Sequence, residues 1–358
     1  MPTPAELGYR MPAEWQRHTA TWLTWPKDPE TWPDRVPQVE EIYLLMMAAL
    51  APHEIVNLLV DNAETETAMR ARCFFPGAQN IRYHQIPTVD SWIRDYGPNF
   101  LISDKAELAY NDWIFNAWGN KYEELKRDNS IPARLESLLK VPRFEPGIVM
   151  EGGSIEVNGA GCVLTTEQCL LNPNRNPNLS KNEIEQSLKN YLGVEKVLWL
   201  GEGIVGDDTD GHIDDVARFV APNVITCAVE DDPADANYKL LQDNLKRLRT
   251  MTDVQGRPFE ILTLPMPGVV GGTSTDNRNL DRLPASYANF YIANEIVLAP
   301  VFGHANDARA LETLQRLFTS HRVVGINCEP LVWGMGTIHC VTQQQPEPSQ
   351  RAGASPPS

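Results

Sequence analysis

Apolar positions recur along the chain with two periods, and the periods alternate in a fixed order. In 179–192, LSKNEIEQSLKNYL, Ile184, Leu188 and Leu192 fall at i, i+4 and i+8 behind Ser180 and ahead of Gly193, which predicts a capped amphipathic helix. A strand-like run from Val194 to Leu200 follows, then a turn over 201–206 and an acidic stretch over 207–215. A β-rich segment, 216–229, comes next and is turned at Pro222-Asn223. The same order, helix, strand, turn, hairpin, can be traced from helical starts at 64–74, 131–140, 236–250 and 305–318, with Asn158-Gly159 as a strong hairpin signal.

Strung in a line, these units would keep their junctions tens of ångströms apart. A closed ring brings the junctions to one axis, and they carry Asp95, Glu151, His212 with Asp214, Asn289 and Cys340. The pattern therefore predicts a ring of ββαβ-type modules with a central site. His18 to Trp25, HTATWLTW, alternates like a strand and is expected to pair with the last module and close the ring. At ~150 residues per domain the length would allow two domains, but the ring reading makes 1–346 a single α/β domain. The tail 347–358, rich in Pro and Ser, is expected to be disordered. The glycine-rich loop 268–281 is a candidate rim or lid.

A net charge of −16 with no run of Lys or Arg argues against nucleic acid and for cationic small molecules as partners. The longest apolar run, Ile42 to Leu50, is too short to span a bilayer, and the N-terminus has neither a basic start nor an apolar stretch, so a soluble cytoplasmic protein is expected. The six cysteines form no C-x-x-C pair, which removes the zinc-ribbon and dense-disulfide readings.

The reactive-looking residues each have a plain structural reading. Cys340, approached by Gly334 and Gly336, is a packed thiol or a nucleophile. If it lies on a strand, His339 faces the other way and cannot serve as its base. The stretch Asp207 to Asp215 is a solvated acidic turn, a metal site, or, on a strand, a face where His212 and Asp214 pair an acid/base with a carboxylate. Glu151 in a glycine turn and Asp95 beside Arg94 say little alone. Together, three carboxylates, an imidazole and a thiol need a cation to be stable. A guanidinium fits them, because its planar fork matches carboxylates and leaves its carbon open to a thiolate.

Trp92-Ile93-Arg94-Asp95, Phe115-Asn116-Ala117-Trp118-Gly119, Glu151-Gly152-Gly153-Ser154, Leu171 to Pro177, Asp210-Gly211-His212-Ile213-Asp214 and Ile338-His339-Cys340-Val341-Thr342 resemble, in order, the motifs of the agmatine deiminase family. The resemblance also takes in the opening Met11-Pro12-Ala13-Glu14-Trp15 and extends from about Gly8 to Pro346. It implies a five-bladed α/β propeller of the guanidine-modifying superfamily and hydrolysis of agmatine to N-carbamoylputrescine and ammonia, in putrescine synthesis. It also implies a homodimer, with no metal and no organic cofactor. By the same resemblance Cys340 is the nucleophile, entering as a thiolate favoured by nearby positive charge, and His212 the general acid/base. Asp95 and Asp214 grip the guanidinium, Glu151 bonds it and orients His212, and Trp92 and Trp118 line the site. Met335 and Thr337 stand where the family usually has glycine and asparagine, and Asn120 where a second glycine is common. These departures bear on the substrate's tail. Peptidyl-arginine and free arginine therefore stand as alternative substrates, and an amidinotransferase, a non-catalytic guanidine or polyamine binder and a metal-dependent hydrolase as alternative functions.

Overall fold

A computed structural model describes residues 2–271 and 282–348. Residues 272–281 of the candidate lid over 268–281 and 349–358 of the tail over 347–358 therefore lie outside the described residues. The chain starts with a short strand, β1 (Tyr9–Arg10). β2 (His18–Thr24) then leads through α1 (Val36–Leu50) to β3 (Ile55–Val60), and through α2 (Ala63–Arg70) to β4 (Ile81–Gln85), all three strands parallel. Four units of hairpin, helix and strand follow. β5 (Asn99–Ser103) and β6 (Leu108–Asn111) are joined through α3 (Ile131–Leu139) to β7 (Arg143–Phe144), with β1 on the outer edge of β5. β8 (Glu156–Val157) and β9 (Cys162–Thr166) continue through α4 (Lys181–Leu192) to β10 (Lys196–Leu200). β11 (Ala217–Ala221) and β12 (Val224–Val229) continue through α5 (Tyr238–Leu248) to β13 (Glu260–Pro265). β14 (Tyr291–Ala293) and β15 (Ile296–Val301) continue through α6 (Asp307–Leu317) to β16 (Arg322–Asn327). Last, β17 (Gln343–Pro346) returns antiparallel to β2, with Gln343 opposite Trp22, so the two ends of the chain share the sheet β17-β2-β3-β4.

Five sheets result. Their phase differs from the sequence reading, which joined each helix to the hairpin that follows it. A parallel partner can be reached only by a crossover, so the strand after each helix turns back onto the hairpin before it. The unit is ββαβ, and the junctions singled out in the sequence are the loops that leave one sheet for the next. The segment 18–85 also holds two crossovers where one was traced. The second rests on α1, which buries Val39, Ile42, Tyr43, Met46, Met47 and Leu50 at helical spacing behind Pro37 in its first turn. At about 2 kcal/mol a side chain, that stripe contributes on the order of 10 kcal/mol before entropy is counted.

α4 is built as expected. The Ser180 hydroxyl and the Glu183 carboxylate close a capping box, Ile184, Leu188 and Leu192 are buried, and Gly193 ends the helix at φ +65. A Cβ on Gly193 would also meet the Tyr9 carbonyl oxygen at 2.6 Å, so the stop lets the helix end dock on β1.

Candidate active site

The loops between sheets converge on a cavity of about 750 Å³ whose lining includes Trp92, Asp95, Trp118 and Cys340. Cys340 lies in the turn 338–341, not on a strand. In a turn, neighbouring side chains still diverge, so the conclusion that His339 is not its base stands while the reason changes. The turn is held by Asn289, whose Oδ1 accepts from Thr337 Oγ1 at 2.7 Å and from the His339 backbone at 3.0 Å. Its Nδ2 lies 3.2 Å from the Cys340 Sγ. Thr337 is thus buried into this clamp and Met335 reaches the cavity wall, while Asn120 is not among the residues lining it.

Asp95 sits in the helical turn Ile93–Tyr96. It accepts from the Gly153 backbone and from Trp118 Nε1, both at 2.9 Å. The Trp118 loop is held in an unusual form, with Ala117, Trp118, Gly119 and Asn120 all at φ between +52 and +89. Left-handed non-glycine residues cost about 1 to 3 kcal/mol each. Asn116 offsets this by capping Gly119 and donating to the Asn174 carbonyl, which accounts for the Phe115 to Gly119 motif. Trp92 donates to Asp90 at 2.9 Å and lines the cavity.

His212 and Asp214 do not share a strand face either, because Ile213–Asp215 is a single 3-10 turn with His212 at its start. Short hydrogen bonds to Asp207 shape this loop: its carboxylate accepts from the backbones of Thr209, Gly211 and His212. Asp210 is likewise engaged, by Lys121, Asn174 and Arg175, so the carboxylates of Asp207 and Asp210 already have partners. Among the described residues, the ligand-type side chains close enough to hold an ion are Glu151, Cys169 and His212. Two of these belong to the cavity site itself.

The imidazole of His212 lies with Nδ1 3.8 Å from Asp95 and Nε2 4.0 Å from Glu151, and neither nitrogen has a hydrogen-bond partner among the described residues. Burial drives its pKa down to about 3, so it is a neutral base. Glu151 Oε1 accepts from Arg175 Nε at 2.7 Å, while its Oε2 is unpartnered. Burial, followed by the charges of Asp214 and Glu151, holds Asp95 well above the carboxylate range. Burial also raises Glu151 against the pull of Arg175. Asp214 differs. Burial opposes its charge, but the His339 imidazole bonded to it at 2.7 Å holds it below the usual value, with Oδ1 unpartnered. Cys340 Sγ lies 3.8 Å from Asp214 Oδ2. Burial and the charges of Asp214, Asp215 and Asp95 push the thiol up. With no cation docked, the carboxylates around Cys340 keep it protonated, so the positive charge expected to favour the thiolate has to come with the substrate.

Cys340, His212, Glu151, Asp95, Asp214, Trp92 and Trp118 are brought together here, but several of their buried neighbours were missed. Arg175 is fully buried between Glu151 and Asp210, and it was singled out only for its motif. Arg94 makes no surface ion pair with Asp95; it is buried against Gln344, the His339 carbonyl and Glu14. Glu14 accepts from Arg218 and from His339 Nε2, both at 2.8 Å. A lone glutamate in the stretch MPAEW carried no signal beyond belonging to the opening motif. A buried partner cannot be read from local spacing.

The chain is similar in sequence and in structure to known proteins. The family model for Porphyromonas-type peptidyl-arginine deiminase matches residues 10–346. The agmatine deiminase of Ectopseudomonas mendocina is 38% identical, over 97% of this chain and 98% of that protein. The agmatine deiminase of Pseudomonas aeruginosa is 39% identical, with the same shares covered. Among solved structures, the agmatine deiminase of Enterococcus faecalis superposes with a TM-score of 0.90 at 36% identity, covering 98% of this chain and 99% of that one. The α/β fold of these proteins is therefore the fold of this chain.

Proposed function

The chain belongs to the Porphyromonas-type peptidyl-arginine deiminase family, and on that premise we propose that it is an agmatine deiminase, a hydrolase acting on the guanidino C–N bond. The observation that carries the choice of substrate is the sign of the cavity's charge. Its lining carries Asp28, Glu30, Glu123, Glu124 and Asp208, and among the described residues the cation lining it, Lys121, is already paired with Asp208 and Asp210. Agmatine brings a guanidinium and a distal ammonium, both suited to such a cavity. Free arginine brings an α-carboxylate that needs a cation. Arg94, Arg175 and Arg218 are buried in internal bonds and do not line the cavity. The five sheets are read as blades of a ring around this site, because loops leaving separate sheets supply Asp95, Glu151, His212 and Cys340.

In the proposed mechanism the guanidinium docks against the unpartnered oxygens of Glu151 and Asp214 and against Asp95. Its charge displaces protons from the raised carboxyls and makes the Cys340 thiolate affordable. The thiol proton passes to His212 as Sγ bonds to the guanidinium carbon. His212 then protonates the leaving nitrogen, the C–N bond breaks and ammonia departs, leaving a thiouronium on Cys340. Water gives a proton to the neutral His212 as its oxygen bonds to the same carbon. As the C–S bond breaks, the hydroxyl proton of the adduct passes to a carboxylate of the site while the C=O forms, His212 returns its proton to the Cys340 sulfur, and the ureido product, N-carbamoylputrescine, is released. The same reading carries a homodimer and a cytoplasmic site of action. No helix of the described residues is long and apolar enough to cross a membrane.

The test gives purified protein agmatine, free arginine or a blocked arginine peptide without added metal, and measures ammonia and ureido product. Agmatine should be turned over, and Cys340→Ser should lose at least ~10³-fold in kcat. Turnover of an arginine compound but not agmatine, or an unimpaired Cys340→Ser, overturns the reading.

A further inference from the structure

Beneath the cavity floor lies a fully buried charged cluster of which the mechanism above uses only Asp214. His339 is 1% exposed and its two ring nitrogens face two carboxylates, Nδ1 to Asp214 Oδ2 at 2.7 Å and Nε2 to Glu14 Oε2 at 2.8 Å. A carboxylate oxygen only accepts, so for both bonds to form each nitrogen donates and the ring carries two protons. Glu14 is clamped from the other side by Arg218 at 2.8 Å and Arg94 at 3.5 Å, and also accepts from the Ile292 backbone at 2.8 Å. Arg218 in turn bonds Glu156 at 2.9 Å. The cluster thus ends in one imidazole, which is bonded to Asp214.

We propose that His339 is a positioning residue for the reaction, anchoring Asp214 by one oxygen so that the other faces the guanidinium as a fixed, charged acceptor. The inference rests on the deiminase reading of the same cavity. Three carboxylates surround the site, and burial disfavours the charge of all three. Asp95 and Glu151 respond by holding protons, whereas Asp214, bonded to His339, stays ionised. The turn 338–341 accounts for the adjacency. It directs the Cys340 thiol to the cavity and the neighbouring imidazole to the interior, and Asn289 fixes both through the His339 backbone and the thiol. Nucleophile and anchor are thereby set by one loop.

The variants that test this separate the two bonds. In His339→Asn the amide nitrogen stands close to the place of Nδ1 and keeps the bond to Asp214. In His339→Gln it reaches the place of Nε2 and keeps the bond to Glu14. Losing a charge-assisted bond to Asp214 should raise KM for agmatine about 10- to 100-fold in His339→Gln, while His339→Asn stays within about fivefold of the parent. The kcat/KM profile of His339→Gln should also move to higher pH, as Asp214 takes up a proton like its neighbours. In parallel, guanidinium chloride should protect Cys340 from iodoacetamide in the parent and in His339→Asn, and about tenfold less well in His339→Gln. Equal KM and equal protection in the two variants, or the reverse order, overturns the proposal, whatever their melting temperatures. A parent protein that ignores agmatine sinks the functional reading instead, and the protection assay still ranks the two variants.

Discussion

Gly153→Ala is expected to disable the site with little loss of fold. A Cβ at this position would stand 2.6 Å from His212 Nδ1, 2.9 Å from Asp95 Oδ1 and 3.1 Å from Asp214 Oδ2. With about 3.5 Å as a comfortable contact, His212 must retreat by ~0.9 Å, Asp95 by ~0.6 Å and Asp214 by ~0.4 Å, each in a different direction. The Gly153 N–H also holds Asp95, so the backbone cannot move away without releasing that carboxylate. A misplacement of ~1 Å in reacting groups costs on the order of 100-fold in rate, whereas overpacking usually costs ~1–3 kcal/mol of stability. The predicted result is a drop of about 100-fold in kcat/KM on agmatine with a cooperative thermal transition retained. Gly325→Ala is the control. It lies on β16, and its Cβ would meet Leu311 of α6 at 3.0 Å and Val301 of β15 at 3.2 Å, a crowding by flexible side chains outside the cavity lining. If Gly153→Ala keeps kcat/KM within about threefold of the parent, or if Gly325→Ala loses as much activity, the geometric argument fails.

Two further outcomes follow from the buried acids. Since Asp95 and Glu151 hold protons above their ordinary range until a cation arrives, agmatine binding to Cys340→Ala should release protons. Calorimetry in two buffers of different ionisation enthalpy reads this directly, and zero net release would contradict the docking scheme. Burial also pushes Asp90 and Asp128 up to about 6, from 3.8. A raised carboxyl favours the fold while protonated, so each contributes stability below pH ~4 that is lost as pH rises through about 6, roughly 3 kcal/mol for each. Asp90→Asn removes one of the two. Urea unfolding should then show the parent losing about 3 kcal/mol relative to this variant between pH 4 and pH 7.5; a pH-independent difference would refute it.

Much of the architecture was legible in one sequence because it is written in local period. Ile184, Leu188 and Leu192 behind the Ser180 cap define α4, Asn158-Gly159 turns the hairpin of β8 and β9, and the alternation of His18 to Thr24 marks the strand that β17 joins. The chemical residues were also legible, since a thiol, an imidazole and carboxylates at successive junctions imply convergence if the chain closes on itself. What tertiary structure decided was pairing and charge. The strand after each helix could join either neighbouring hairpin until crossover geometry chose the one before it. Asp214 could have stood beside His212 until a turn sent it to His339 instead, and Cys340 could have rested as a thiolate had its surroundings been cationic rather than three carboxylates out of water. Glu14 lies 204 and 325 residues from Arg218 and His339, the two side chains that define its role. Periodicity reports which side of an element is buried. The hydrogen-bond partner and the protonation state depend on which distant surface closes over that side.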